Sequence, residues 1–388
     1  MATYLVGYTI IILLVLFVVF SILVKKRVLF GNTPAMQKIF GHPLLHYSFK
    51  RIGSAFISVT LAIIVTFFLV RLAQPPDATC VAKFSGPKVT EEVFNLRCNT
   101  WKENMGFSGT TLEQLLKFFY SILPFPKTLC ISEIDTETKM YTVSNCRNFI
   151  IDLGRIYGIS GVQDGYFVID YMAERMVTSF KIGILAVIVE LGLGYPFGIL
   201  MAKHQNGVFD KIGKAYIISI DAIPGVAYYY IWMALFCGLM QLPNRYSSSN
   251  FLSWLPAILS MGFTGMAGIG LWVRRYMVDE FNSDYVKFAR SKGLSETRIL
   301  RVHILRNAVV PLVRTFPSAV IGALMGTYYL ENVYAINGIG QAIIVANNTQ
   351  NASLLQGVII VSAYLSILAY LLGDIVTAMV DPRISFGD

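Results

Sequence analysis

Four cysteines are the residues of this sequence whose type and spacing point most directly to covalent chemistry. Cys80, Cys98, Cys130 and Cys146 lie in one segment, and the fifth cysteine, Cys237, lies in a distant apolar run. Four cysteines permit three pairings. Pairing of sequence neighbours, Cys80 with Cys98 and Cys130 with Cys146, closes the shorter loops, and we expect these two disulfides. The alternative is free thiols buried in a small core.

The stretch closest to a nucleotide-binding loop is GVFDKIGKA, residues 207–215. A Walker-type loop has four residues between its glycines and a Ser or Thr after its lysine. Here five residues separate Gly207 from Gly213, and Ala215 follows Lys214, so a magnesium ion would lack its hydroxyl ligand. We therefore expect that the chain does not hydrolyse ATP by itself. We identify no catalytic residues and no metal-binding motif in the sequence.

The composition is that of a protein that crosses a membrane several times. Only 14% of the residues are charged, 55% are hydrophobic and the mean hydropathy is +0.59. A helix needs about 20 apolar residues to cross a bilayer. The apolar runs predict seven spans, at residues 4–24, 52–72, 182–202, 215–241, 252–273, 308–330 and 355–379.

Two acidic residues, Glu190 and Asp221, lie inside these predicted spans. A charge in hydrocarbon is costly, so such residues usually face a cavity or a partner. One interpretation is that they line a substrate path and attract a positively charged group; the other is that each forms a buried hydrogen bond to a neighbouring helix. Tyr228, Tyr229 and Tyr230 are further candidates for a path, although we expect one face of this triplet to pack.

The distribution of Lys and Arg predicts the orientation. Residues 25–51 contain six basic residues and no acid, which is typical of a cytoplasmic loop. Alternation then places the N-terminus outside, residues 73–181 outside, residues 275–307 inside and the C-terminus inside. The net charge of +9 fits basic cytoplasmic loops and does not require a nucleic-acid partner.

The basic segment YVKFARSKGLSETRILRVHILRNAVVP, residues 285–311, predicts two helices separated by a glycine. Tyr285, Phe288 and Ala289 share one face of the first helix. Gly293 suits the left-handed position after a helix, and Ser295 suits the start of the next one. A basic juxtamembrane helix can rest on anionic lipid or can dock a cytoplasmic partner.

This segment resembles a known family. The run DYVKFARSKGLSETRILRVHILRNAVVPLV, residues 284–313, looks like the cytoplasmic loop of the B-type membrane subunits of oligopeptide and dipeptide ABC importers. The importer signature places an alanine four residues before a glycine, here Ala289 and Gly293. Lys287 stands where the general signature has an acid, which is typical of the peptide-permease branch.

Other segments resemble the same family in the same order along the chain. They are IDLGRIYG at 151–158, GYPFGILMA at 194–202, WLPAIL at 254–259, VRRYM at 273–277, LENVYAINGIGQA at 330–342 and MVDPRIS at 379–385. The resemblance implies an all-α integral membrane protein with the type I ABC importer permease fold. It implies six core transmembrane helices, one extra N-terminal helix and an inserted extracytoplasmic domain.

The implied domain boundaries follow from these motifs. Residues 1–44 would form the N-terminal anchor and a cytoplasmic linker, 45–74 the first core helix, 75–178 the inserted domain and 179–388 the permease core, with a coupling loop at 275–307. The resemblance implies that this loop docks on an ATPase through Tyr285, Val286, Phe288, Ala289, Arg290, Lys292, Gly293 and Leu294.

The implied function is that of a non-catalytic permease subunit of an ATP-driven oligopeptide importer in the bacterial cytoplasmic membrane. Its partners would be a second homologous permease, two cytoplasmic ATPases that carry the ATP and magnesium, an extracytoplasmic peptide-binding protein and the peptide. This chain would bind no cofactor. The alternatives are import of dipeptides, nickel chelates or sugars, and a secondary transporter. The inserted domain is expected to pack beside the binding protein.

Overall fold

The computed structural model describes residues 43–87, 89–123, 125–134, 141–313 and 315–380. The predicted N-terminal helix at 4–24 lies outside the described residues. The chain divides into two units: one holds the described residues up to Arg175 together with Ala342–Tyr364, and the other holds Met176–Gln341 and the chain from Leu365 onward.

The first unit begins with a long apolar helix, α1 (Pro43–Ala73), followed by α2 (Pro76–Phe84), α3 (Glu91–Asn104) and α4 (Thr111–Ile122). The chain bends by 49° between α1 and α2. Proline ends a helix at the residue before it, and Pro75 and Pro76 stand at this bend. The core of this part contains Cys80, Cys98 and Trp101.

The predicted disulfide between Cys80 and Cys98 is present and joins α2 to α3. Cys146 is also in a disulfide. The side chain of Cys130, the partner predicted for it, lies outside the described side chains. Cys237 is a free cysteine.

The described residues are mostly helical, as predicted, but the inserted segment also contains strands. An antiparallel pair, β1 (Lys127–Ile134) and β2 (Tyr141–Phe149), has an irregular register between Leu129 and Ile131. A second pair, β3 (Arg155–Ile156) and β4 (Tyr166–Phe167), leads directly into the next helix. The mostly helical fold class is confirmed, and the strands of the described residues lie in the inserted segment, where residues of high strand propensity pair locally.

The remaining helices follow β4 along the chain, and the stretch Ala342–Tyr364 among them belongs to the first unit. They are α5 (Val168–Lys203), α6 (Val208–Ala222), α7 (Gly225–Met233), α8 (Leu255–Phe281), α9 (Asp284–Ser291), α10 (Glu296–Arg298), α11 (Leu305–Val313), α12 (Thr315–Met325), α13 (Tyr328–Val333), α14 (Ile339–Asn348) and α15 (Ala352–Val380). The described chain also contains two π-helical segments and a short 3₁₀ helix: Ala234–Leu239, Ile299–Ile304 and Phe251–Ser253, respectively.

Glycines bring α5 and α8 into close contact. A Cβ atom on Gly198 would lie 2.6 Å from Cβ of Val273 and 2.7 Å from the carbonyl oxygen of Gly270. A Cβ on Gly262 would lie 2.5 Å from Val189 Cγ1. Small residues at helix contacts are typical of membrane bundles, where close backbone approach gives van der Waals packing.

Three helices in the described part are long and apolar enough to cross a membrane, and five candidates result if each bent helix pair counts as one. The predicted spans 182–202 and 355–379 lie within α5 and α15, and the predicted span 252–273 covers the end of the 3₁₀ helix and most of α8. The predicted continuous span 215–241 is wrong. The chain bends by 116° between α6 and α7, because Pro224 supplies no N–H and holds Ile223 in extended backbone with ψ of 130°.

Candidate coupling surface and translocation residues

The short helix α9 is fixed to the second unit by one buried face. Val286 is fully buried and Ala289 is 6% exposed. Both belong to a hydrophobic cluster, here called the loop cluster, with Met277 of α8 and with Ile299 and Ile304 of the π-helical segment. A displacement of α9 would therefore be transmitted to both of these elements.

Gly293 ends α9 as predicted. Its φ angle is +74°, its N–H donates to the carbonyl of Arg290 at 2.9 Å, and the N–H of Leu294 donates to the carbonyl of Ala289 at 3.3 Å. This is the hydrogen-bond pattern of a Schellman ending. No atom lies within 4 Å of a Cβ built on Gly293, so its backbone angle alone accounts for the preference for glycine.

The outward face of α9 differs from the docking face expected from the sequence. Phe288 is 61% exposed, and the Lys292 ammonium lies 4.4 Å from the centre of its ring. Ala289 is buried in the loop cluster, and Tyr285 and Leu294 are half-buried against it. With Val286, four predicted docking residues thus pack wholly or partly inward, because a helix of eight residues must use one side to attach itself.

Charged pairs surround Phe288. Arg290 donates to both carboxylate oxygens of Glu296, at 2.8 and 3.2 Å, and Lys287 donates to Asp284 at 2.9 Å. The hydrogen bond from Arg290 lowers the pKa of Glu296, and that from Lys287 lowers the pKa of Asp284. Both acids are therefore ionised at neutral pH. The surface is polar with one exposed aromatic ring near its centre.

A buried ion pair joins the beginning of α6 to α8. Asp210 has no exposed side-chain area and accepts two hydrogen bonds from Arg274, one of them at 2.9 Å. Lys214 lies 3.0 Å from the same carboxylate, and the N–H of Asn206 donates to it at 2.9 Å. This pair was not predicted, although an acid and a base near the ends of two apolar runs are a signal for it.

A second buried carboxylate, Glu331, organises the LENVYAINGIGQA segment. Ser179 of α5 donates to it at 2.7 Å, and the N–H of Gln341 donates to its other oxygen at 3.0 Å. Cβ atoms on Gly338 and Gly340 would lie 2.4 and 3.0 Å from this carboxyl group. The glycines of the segment therefore leave the room that the carboxylate occupies, a role that the motif alone did not reveal.

The candidate path residues fall into different environments. Glu190 is half-buried against Gly265 of α8, where a Cβ would lie 2.3 Å from the Glu190 carboxyl carbon. Asp221 is exposed at the end of α6. Tyr229 is buried in a hydrophobic cluster and its ring contacts that of Tyr228, whereas Tyr230 is 54% exposed. Tyr230 borders an open concavity with Met233, Cys237 and Gln241.

The comparison with protein families decides what kind of chain this is. Residues 194–386 match the family described as binding-protein-dependent transport system inner membrane component. The chain belongs to this family. The family description places its members in the inner membrane, and the long apolar helices α5, α8 and α15 agree with a membrane protein.

Two similar relatives are named as peptide permeases. The oligopeptide transport system permease protein AmiC of Streptococcus pneumoniae is 35% identical over 220 residues, which cover 55% of this chain and 44% of AmiC. The dipeptide transport system permease protein DppB of Lactococcus lactis is 26% identical over 342 residues, which cover 88% of this chain and 99% of DppB. The chain thus spans less than half the length of AmiC.

Among solved structures, the inward-facing MetNI methionine ABC transporter aligns with a TM-score of 0.46 and 16% identity. The alignment covers 54% of this chain and 96% of that one.

Proposed function

We propose that this chain is a permease subunit of an ATP-driven peptide importer and forms half of its translocation path. Membership of the importer family supports the class of transporter, and the names of the relatives, oligopeptide and dipeptide permeases, support peptide as the cargo. The observation that carries the proposal is α9, a helix fixed by Val286 and Ala289 that leaves Phe288 exposed.

In this proposal α9 is the coupling element. A cytoplasmic ATPase receives Phe288 in an apolar recess, and its acidic or polar rim meets Arg290 and Lys292. The remaining predicted coupling residues hold the helix: Val286 and Ala289 anchor it, Tyr285 and Leu294 extend the packing, and Gly293 sets its end. Closure of the ATPases then moves α9 together with α8.

The proposed complex contains four kinds of partner. A second homologous permease completes the path, two ATPases supply the energy, an external binding protein delivers the peptide, and the peptide passes between the permeases. ATP and magnesium are bound by the ATPases and not by this chain. We propose that the C-terminus and the loop at 275–307 are cytoplasmic and that the N-terminus is outside, because basic residues concentrate on that cytoplasmic side.

We also propose roles for the acidic and aromatic residues in the spans. Tyr230 and Asp221 are exposed and face the path, where a carboxylate would attract the amino terminus of a peptide. Glu190 contributes to the same region from α5. Tyr229 serves packing, and Tyr228 lies between the packed Tyr229 and the path.

The inserted domain, residues 75–178, lies beside the external binding protein.

Purification of the chain from its native membrane in a mild detergent tests this proposal. We expect a second permease and ATPase subunits to co-purify, and we expect peptide together with the binding protein to stimulate ATP hydrolysis. A chain that purifies alone, or with partners that do not hydrolyse ATP, would contradict the proposal. That result would favour a secondary transporter, whose first candidate residues are Glu190 and Asp221.

A further inference from the structure

The helix α4 in the inserted segment exposes a continuous row of large apolar side chains. Leu112, Leu116 and Tyr120 are 65%, 60% and 60% exposed. Residues four apart lie above one another on a helix, so these three side chains form a row along one side. Single exposed apolar residues are common on protein surfaces, but a contiguous apolar row marks a contact with a partner or a membrane.

This row is held in place by residues of the chain itself. Thr110 and Glu113 form a capping box at the start of α4. At the other end, the Lys127 ammonium donates to the carbonyls of Ser121 and Leu123 at 2.6 and 2.8 Å. Caps of this kind satisfy the free backbone groups at helix ends. These contacts stabilise both ends of α4 within the chain itself.

The opposite face of α4 packs against the apolar helix α1, which contains the predicted span 52–72. The ring of Phe118 lies 5.5 Å from that of Phe67, and Phe67 is completely buried. Phe67 precedes Leu72, the end of the predicted span, by five residues, which is about 7.5 Å along a helix. Half of a hydrocarbon core is about 15 Å. The contact thus places α4 at the depth of the membrane boundary.

From this placement we propose that α4 is an interfacial helix whose apolar row is immersed in one leaflet of the phospholipid bilayer. Under the orientation proposed above, this is the outer leaflet. The composition of the helix fits that boundary: Tyr120 ends the row with the Lys127 ammonium 4.9 Å from its ring centre, and Lys117 lies on the exposed side. Aromatic and basic side chains concentrate at the level of the headgroups.

Lipid is the occupant because α4 contacts α1 inside the predicted span, where α1 itself exposes large apolar side chains. Phe68, Leu69 and Leu72, which follow Phe67 in the chain, are 43%, 59% and 78% exposed. An apolar membrane helix with such exposure is covered by acyl chains or by another membrane helix. The row points away from α1 at this depth, and a water-soluble binding protein would reach only the parts of the inserted domain that lie beyond the membrane boundary.

Quenching by brominated lipid tests the proposal in the assembled transporter. The background carries Cys237→Ser, and single variants Leu112→Cys, Leu116→Cys and Tyr120→Cys receive a small fluorophore. Asn95→Cys on the exposed side of α3 is the matched control in the same domain. The labelled transporters are placed in nanodiscs of phosphatidylcholine and phosphatidylglycerol, with either plain or brominated acyl chains.

We expect brominated lipid to lower the fluorescence of the three α4 labels by at least about twofold relative to the Asn95 control, because an interfacial helix buries its apolar face roughly 5–10 Å into the boundary. Quenching by aqueous iodide alone would overturn the proposal. A second outcome would also overturn it: in the complex neither brominated lipid nor iodide quenches the labels, whereas iodide quenches them in this chain alone. A protein partner would then cover the row. The outcome is independent of the cargo and of ATPase docking.

Discussion

At the scale of single residues, the structure separates those that hold a position from those that meet a partner. Gly293 holds a position through its φ angle of +74°, and Phe288 is available to a partner because it is 61% exposed. Asp210 is fully buried and depends on Arg274 for compensation of its charge. The side-chain environment, and not the type of residue, decides which role each one has.

Gly293→Pro should uncouple transport from ATP hydrolysis while the chain still inserts in the membrane. Proline cannot adopt the φ angle of this position and removes the N–H that donates to Arg290. Gly293→Asn is the matched control, because asparagine tolerates left-handed backbone and the site has open space around it. Peptide uptake measured in cells distinguishes the two variants. Equal uptake by both would contradict the role assigned to this turn.

Asp210→Asn should destabilise the chain by about 3–5 kcal/mol, because removal of one partner leaves the other charge of a buried pair uncompensated. Thermal unfolding in detergent measures the change. Lys214→Gln is the control on the same network: Lys214 is 41% exposed, so its loss should cost about 1 kcal/mol or less. Similar unfolding temperatures for Asp210→Asn and Lys214→Gln would show that the pair with Arg274 is unimportant.

At the scale of elements, close contacts between helices set the tolerance for substitution. The helices α5 and α8 approach through Gly198, whereas a Cβ built on Gly192 of the same helix would have no atom within 4 Å. Both glycines lie in the same apolar run, so the apolar pattern cannot distinguish them. Their difference arises only from what packs against them.

Gly198→Val should reduce folding and transport, because its Cβ would overlap Val273 and the carbonyl of Gly270. Overpacking of this kind typically costs about 1–3 kcal/mol. Gly192→Val is the matched control and should be tolerated much better. The measurement is the yield of monodisperse protein after mild solubilisation. A lower yield for Gly192→Val than for Gly198→Val would be the opposite of this expectation.

The corner between α4 and β1 should become more stable as the pH rises. Burial lowers the pKa of Lys127 from 10.5 to about 8. Below pH 8 the lysine is charged in both the folded and the unfolded state. Between about pH 8 and 10.5 only the unfolded state keeps the proton. The free energy of unfolding therefore rises with pH in this range. Thermal unfolding at a series of pH values, compared with Lys127→Met, isolates this effect. A difference in unfolding temperature between the two proteins that does not change with pH would contradict this prediction.

At the scale of the whole molecule, the long apolar helices could be predicted from the sequence and the tertiary contacts could not. A bilayer requires each spanning segment to satisfy its backbone internally, so the runs at 182–202, 252–273 and 355–379 had to be helical. The buried side of α9 depends on the loop cluster, and the Glu331–Ser179 contact joins residues far apart in sequence. Local patterns contain no information about such partners.

The break at Ile223 had a visible signal, since Pro224 interrupts the apolar run, but hydropathy alone favoured one continuous span. The strands β1 and β2 were missed for a related reason. The cysteines predicted disulfides and the family resemblance predicted an inserted domain, but neither specifies the secondary structure of this segment.

Coupling of this permease to an ATPase through the exposed face of α9 is the central claim. Its most direct test is peptide-stimulated ATP hydrolysis by the complex in nanodiscs, with wild-type chain, with Phe288→Asp and with the nearby control Val302→Asp, also on the exposed surface. We expect Phe288→Asp to lose the stimulation and to release the ATPase subunits, and we expect the control to retain both. Stimulation of Phe288→Asp at the wild-type level, with the ATPases still bound, would contradict the account.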